Sequence, residues 1–308
     1  MYKKLFYLLS VISTIIISIL TVDSLEKIWI IPVAFVSSLI IILAVFFIIL
    51  SIITSTIKKD RVYETHSKFF YRIFVHCGEL VCNFCRVKVK VEGLEKVPTD
   101  SKFLFVQNHR SNLDPVIAFV VLKKFRTAII SKPKNFNIIY LGKLMRRCHF
   151  IPINRNNPRE GIKSINRAVE LVKEKDTSII VYPEGTRNRH DNNVLPFKNG
   201  TFKIAQKTNI PIVIASIEGT EKIKHRSPWR STKVLFKFIE TVNPSDFNST
   251  TEMASYAENA IAKDLGVKVY SEEDVVRLNL TNDTNVDVKL MENLNKNITT
   301  HENEQETK

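Results

Sequence analysis

The pattern of apolar and polar positions divides the chain into two regimes. Residues 5–22 carry no charge, and neither do residues 28–57. Each run is long enough to cross a hydrocarbon layer of roughly 30 Å as a helix. A cleaved signal peptide competes for the first run, but its apolar stretch exceeds the usual h-region and no small-x-small cleavage site follows. The pattern therefore predicts a two-helix transmembrane hairpin, with spans at about 5–22 and 29–53, inside an anchor of residues 1–60. Lys3 and Lys4 flank it on one side and Lys58, Lys59 and Arg61 on the other, whereas the Asp23–Lys27 connection holds two acids and one lysine. Basic flanks stay cytoplasmic, so both ends of a multi-pass anchor, and everything after residue 58, are expected on the cytoplasmic face of the cell membrane.

After the anchor, apolar runs shorten and alternate with amphipathic ones. Residues 62–86 predict a helix rich in aromatics, lying either on the membrane surface or against the soluble domain. VKVKV (87–91) alternates as a half-buried strand. Buried strands are read at 102–107, 127–131, 149–153, 177–182, 210–217 and 233–239. Helices are read between them, over the runs PVIAFVVLKK, FNIIYLGKLMRR, 158–175 and GTFKIAQKT. Alternation of this kind predicts an α/β fold, a mostly parallel central sheet with helices on both faces. The domain is bounded at 87–270, with 61–86 as an interfacial or packing helix. Residues 271–308, rich in Asn, Thr and Glu, lack core-forming periodicity and predict a flexible acidic tail.

Charge sharpens this picture. The chain carries +14 over 308 residues, but the tail contributes −5, leaving +19 on residues 1–270. A basic domain tethered at an inner leaflet attracts anionic membrane lipid. No nucleic-acid motif accompanies the charge, so no nucleic acid partner is expected. Four cysteines stand at 77, 82, 85 and 148. Cys82-x-x-Cys85 is half of a zinc site, but no second pair stands at finger or ribbon spacing. Free cysteines in an apolar helix act as small hydrophobes, and neither metal nor cofactor is expected.

The polar clusters follow strand ends, where open α/β sheets place their binding crevices. NHRSNLDP (108–115) offers His109 as a base near neutral pH and Asp114 as the carboxylate that orients it. Ser111 lacks a Gly-x-Ser-x-Gly elbow and reads as a structural hydroxyl or cap. Arg155, directly after a strand, can meet a phosphate bidentately. Glu184, Gly185, Thr186 and Arg187 offer an acceptor for a hydroxyl, a permissive backbone position and a second guanidinium, and Lys132 adds a point charge.

Four blocks in order resemble one family. NHRSNLD (108–114), FIPINR (150–155), VYPEGTRN (181–188) and NIPIVIAS (209–216) are similar to the four blocks of the glycerolipid acyltransferases, the 1-acylglycerol-3-phosphate acyltransferases. The resemblance covers roughly residues 87–240, with departures at Tyr182, Asn188 and Ala215 and an uninterpreted Cys148-His149. It implies that His109, oriented by Asp114, takes the proton of an acceptor hydroxyl that attacks an acyl thioester directly. It implies Arg155 on the acceptor phosphate with Lys132 and Arg187 assisting, and Glu184, Gly185 and Thr186 holding the acceptor. The implied substrates are lysophosphatidic acid and acyl-CoA or acyl-carrier protein, and the implied product is phosphatidic acid. Alternatives keep the machinery with glycerol 3-phosphate or another lysophospholipid as acceptor, or make the chain a non-catalytic protein that binds anionic lipid.

Overall fold

The computed structural model describes residues 2–58, 61, 63, 67–154, 157–188 and 191–277. Helices α1 (Tyr2–Thr21) and α2 (Ile30–Ser55) pair antiparallel. Phe6 meets Phe46 edge-on, and the Ser38 hydroxyl lies 3.3 Å from the Ser10 carbonyl, a small-residue contact that lets two backbones approach. Their outer surfaces are exposed leucine, isoleucine and valine. Among the described residues one helical stretch, Leu25–Ser55, is long and apolar enough to cross a membrane; the apolar part of α1, Leu5–Thr21, is shorter. Of the two transmembrane helices expected at about 5–22 and 29–53, α2 alone has the length and composition to cross a membrane. The C-terminal part of α2 belongs to the same core as the sheet: Phe47 stacks on Tyr140, and Leu50 and Ile57 join the main core.

Helix α3 (Lys68–Phe84) buries Tyr71, Phe74, Val75 and Gly78 against the helices that cover the sheet. There follow β1 (Val87–Glu92), β2 (Leu104–Gln107), α4 (Asp114–Val121), β3 (Thr127–Ser131), α5 (Leu141–Arg147) and β4 (Ile151–Pro152). The rest comprises α6 (Pro158–Glu174), β5 (Ser178–Val181), α7 (Lys203–Thr208), β6 (Ile212–Glu218), α8 (Ile223–Arg226), β7 (Thr232–Val242), α9 (Thr250–Leu265) and α10 (Glu272–Arg277). The seven strands form one sheet in the order β1-β7-β6-β2-β5-β3-β4. All neighbouring pairs are parallel except β6 with β7.

The central strands β2 and β5 are buried throughout, which is why they read as unbroken apolar runs. Edge strand β1 alternates instead. The chain steps outward from β2 to β3 and β4, then back to β5 and across to β6. Right-handed crossovers therefore place α4 and α5 on one face and α6 and α7 on the other. Helix α3 packs with the first pair, and α9 packs on β6 and on the Asn199–Phe202 turn that leads into α7. At the centre Phe105 stacks on Phe236 at 5.9 Å and meets Phe238 edge-on. Truncating such a fully buried ring costs about 3–5 kcal/mol.

Three elements depart from the pattern. Residues 136–147 do not form one helix: a 3-10 turn ends at Asn137, Ile138 is extended and Tyr140 takes a positive φ before α5 begins. The chain doubles back so tightly that a Cβ on Gly142 would overlap the Phe136 carbonyl. Strand β4 has two residues rather than five: His149 takes a positive φ just before it, although past Pro152 the Ile153 N–H still reaches the Ser131 carbonyl at 2.9 Å. Helix α9 is not announced by apolar periodicity; it is bracketed by Ser249, whose hydroxyl accepts from the Glu252 N–H at 3.1 Å, and by left-handed Gly266. The tail beyond residue 277 lies outside the described residues.

Candidate active site

Strand β2 delivers NHRSNLDP to the C-terminal edge of the sheet. Asn108, fully buried, continues the β2–β6 pairing with its side chain, donating to the Ile217 carbonyl at 3.0 Å and accepting from the Ile217 N–H at 2.8 Å. The chain then turns. The Ser111 hydroxyl accepts from the Leu113 N–H at 3.3 Å, shaping a turn into α4, and Pro115 follows in its first turn.

That turn returns Asp114 to His109. Asp114 Oδ2 lies 2.9 Å from His109 Nδ1 and accepts from the N–H groups of Arg110 and Ser111, both at 2.6 Å. A carboxylate oxygen accepts, so Nδ1 carries the proton and Nε2 presents a lone pair. Asp114 is fully buried, and its Oδ1 has no hydrogen-bond partner among the described residues. The Tyr182 ring lies 4.6 Å from the imidazole, tilted by 35°, and fixes its other face. Its hydroxyl reaches Gln107 at 3.4 Å, and burial pushes that phenol well above its ordinary range.

Strand β5 supplies the third group. Glu184 Oε1 accepts from the backbone N–H of His109 at 2.7 Å, tying the two strand-end loops together. Burial pushes its carboxyl up to about 8; the His109 and Leu195 N–H groups and the Arg110 charge oppose the shift, and Asp114 adds to it. Gly185 takes a φ of 74° beside the Lys198 side chain, a left-handed position that turns the loop just after Glu184. Arg187 donates to the Asn112 side chain across the two loops. Arg110 is held by the Asp191 carbonyl and, at 2.6 Å, by Asn192.

His109, Asp114, Glu184, Gly185, Thr186 and Arg187 thus lie in two mutually bonded loops, and Lys132 follows β3 at the same edge. Arg155 falls outside the described residues. Asn108 escapes a search for titratable groups, although a polar side chain directly after a buried strand is a visible signal. Beside the histidine, a cleft of about 500 Å³ runs between α6 and α7, lined by Ile130, Ile153, Ile165, Tyr182 and Gly185 and edged by Lys198. Among the described residues no three His, Cys, Asp or Glu side chains gather around a metal-sized space, and the cysteines are free. The arrangement can hold a neutral imidazole in one tautomer and stabilise its positive charge after proton uptake.

Likenesses to known proteins agree with the geometry. Residues 88–218 match the family described as Acyltransferase. A 1-acyl-sn-glycerol-3-phosphate acyltransferase of Limnanthes douglasii is 32% identical over 174 residues, covering 55% of this chain and 60% of that one. BAT2 of Brassica napus, of the same name, is 32% identical over 52% of this chain and 46% of its own. The chain therefore spans about half to three fifths of the length of these relatives. A bacterial protein of that name, from Bacillus subtilis, is 28% identical over 52% of this chain and 76% of its own. The crystal structure of the 1-acyl-sn-glycerophosphate acyltransferase PlsC from Thermotoga maritima superposes with a TM-score of 0.57 at 28% identity, over 72% of this chain and 88% of that one. Residues 88–218 are similar to the acyltransferase family, and this stretch carries the likeness to these proteins.

Proposed function

We propose that the protein is a membrane-anchored enzyme that moves a fatty acyl group from acyl-CoA or acyl-carrier protein to the free hydroxyl of 1-acyl-glycerol-3-phosphate, giving phosphatidic acid. The observation that carries this reading is the buried Asp114 carboxylate 2.9 Å from His109 Nδ1 at the C-terminal edge of the sheet. His109 Nε2 takes the hydroxyl proton as the oxygen attacks the thioester carbon. The new C–O bond forms, the C–S bond breaks, and the proton passes from the imidazolium to the leaving thiolate. Asp114 keeps the imidazole in the accepting tautomer and stabilises its charge.

Arg187, Lys132 and Arg155 bind the acceptor phosphate, while Glu184, Gly185 and Thr186 shape the loop against which its hydroxyl rests. The apolar cleft takes an acyl chain. The α1–α2 hairpin inserts into the cell membrane with the catalytic domain on the cytoplasmic side, in keeping with the basic flanks. Membranes containing the protein are assayed with lysophosphatidate and labelled acyl-CoA or acyl-carrier protein. His109→Ala is expected to abolish transfer, and transfer at the wild-type rate would falsify the base assignment.

A further inference from the structure

The segment between β6 and β7 carries chemistry that the acyl transfer does not use. Trp229 is 84% exposed, and Lys222, Lys224, Arg226 and Arg230 around it are all exposed. From residue 222 to 239 there is no carboxylate. The segment is held by its own backbone: Ser227 N–H donates to the Ile223 carbonyl at 2.9 Å, Arg230 N–H to the Arg226 carbonyl at 2.8 Å, and Arg226 Nε to the Ser231 carbonyl at 3.1 Å. The indole is therefore presented on an ordered turn.

Its position follows from the strands on either side. Strand β6 is parallel to β2, so the chain leaves it at the edge where His109 sits. Glu221, at the start of the segment, lies 4.0 Å from Arg110. Strand β7 begins at the same edge, with Thr232 bonded to the Arg86 carbonyl, two residues beyond exposed Phe84. The post-β3 loop also emerges here, with Ile139 exposed and Tyr140 stacked on Phe47 of the hairpin. The C-terminal edge thus carries the hairpin contact toward one end, the cationic aromatic turn toward the other, and His109 between them.

We propose that the Trp229 turn is a second membrane contact, with the indole at the headgroup level of an anionic bilayer and Lys222, Lys224, Arg226 and Arg230 on lipid phosphates. Indole rings favour that depth, and clustered cations bind anionic leaflets. Lys224, Arg226 and Arg230 make no ion pair among the described residues, whereas Lys222 lies 3.8 Å from Glu221 and Lys237 is bound to Asp264; cations grouped around an exposed indole suit an anionic lipid surface. The proposal rests on the membrane reading of the hairpin, and it makes that edge of the domain lie flat on the bilayer.

The test uses the full chain carrying Trp29→Phe, which leaves Trp229 as its single tryptophan. It is reconstituted in vesicles of phosphatidylcholine with about a third phosphatidylglycerol, and in phosphatidylcholine alone. Lipids brominated near the carbonyl are expected to quench Trp229 in the anionic vesicles, and acrylamide to quench it several-fold less than free tryptophan. Lys224→Ala with Arg230→Ala should weaken the lipid quenching and raise KM for bilayer-borne lysophosphatidate by about fivefold per cation. It should leave transfer to a water-soluble short-chain acceptor unchanged. Full acrylamide access without lipid quenching overturns the proposal, as does lipid quenching that the double variant leaves intact. Because fluorescence needs no turnover, lipid quenching in a protein that transfers no acyl group upholds the contact and removes the acyltransferase reading alone.

Discussion

Replacing Asp114 by asparagine separates two contributions of one side chain. The carboxylate accepts from His109 Nδ1 and two backbone N–H groups through Oδ2, while Oδ1 is buried without a partner. An asparagine oxygen can keep the Oδ2 bonds, but its amide N–H group then lands at the empty Oδ1 position. An unsatisfied buried donor costs about 1–3 kcal/mol of stability. The effect on rate is separate. A charge-assisted bond contributes about 1.5–3 kcal/mol against about 1 for a neutral one, and the difference is felt as the imidazolium forms. If the imidazole also flips its proton to Nε2, the loss grows toward the roughly 10⁴ seen for the equivalent change in a serine-protease triad. The expectation for Asp114→Asn is a kcat lower by about tenfold or more, with KM for lysophosphatidate unchanged, since the interaction is made in the transition state. The assay is steady-state acyl transfer in reconstituted membranes, with thermal unfolding measured in parallel. A variant with kcat within about twofold of wild type at any level of stability refutes the orienting role.

Other residues give further checks. Glu184 titrates at 4.5 in an ordinary setting and about 8 in the fold, so the fold prefers its protonated form. Its contribution to stability is full below about pH 4.5, falls by about 1.4 kcal/mol per unit as pH rises to about 8, and then levels off. Denaturation should show wild type losing stability relative to Glu184→Gln as pH rises across that range, and parallel curves would count against the shift. Arg187→Ala removes a cation tied to Asn112; KM for lysophosphatidate should rise about tenfold with a smaller change in kcat, as expected for a charge-assisted phosphate contact. Gly185→Ala places a side chain at a φ of 74°, costing about 1–2 kcal/mol and moving the Glu184 turn, so melting temperature and kcat should fall together.

The sequence made the sheet legible where burial is simple. Strands β2, β3 and β5 are short apolar runs because both faces are covered, and their edges matched the pattern to within two residues. The same logic does not reveal direction, so nothing in KVLFKFI announces that β7 runs antiparallel to β6. Residues 136–140 misled because their apolar content matches a helix, whereas the close approach of Gly142 to Phe136 forces a turn. Helix α9 was readable from its ends, Ser249 to Glu252 and Gly266, rather than from its middle. In the site, spacing allowed Asp114 to reach back to His109, and the resemblance of NHRSNLD to the family's first block gave the two their roles. The Asn108 pair with Ile217 and the Glu184 bond to His109 N–H are contacts between distant strands, which one sequence cannot display.

The Asn108 side chain has a mechanical consequence. It acts as one more rung between β2 and β6, so the loop bearing His109 is fastened to the strand that leads into the Trp229 turn. Base and lipid contact then move as one rigid arm. In the proposed orientation the height of the imidazole above the lipid plane is set by the eleven residues, Gly219 to Trp229, that follow β6. It is not set by the tilt of the hairpin, which can vary with bilayer thickness while the hydroxyl of a membrane-held acceptor still meets His109 at one depth.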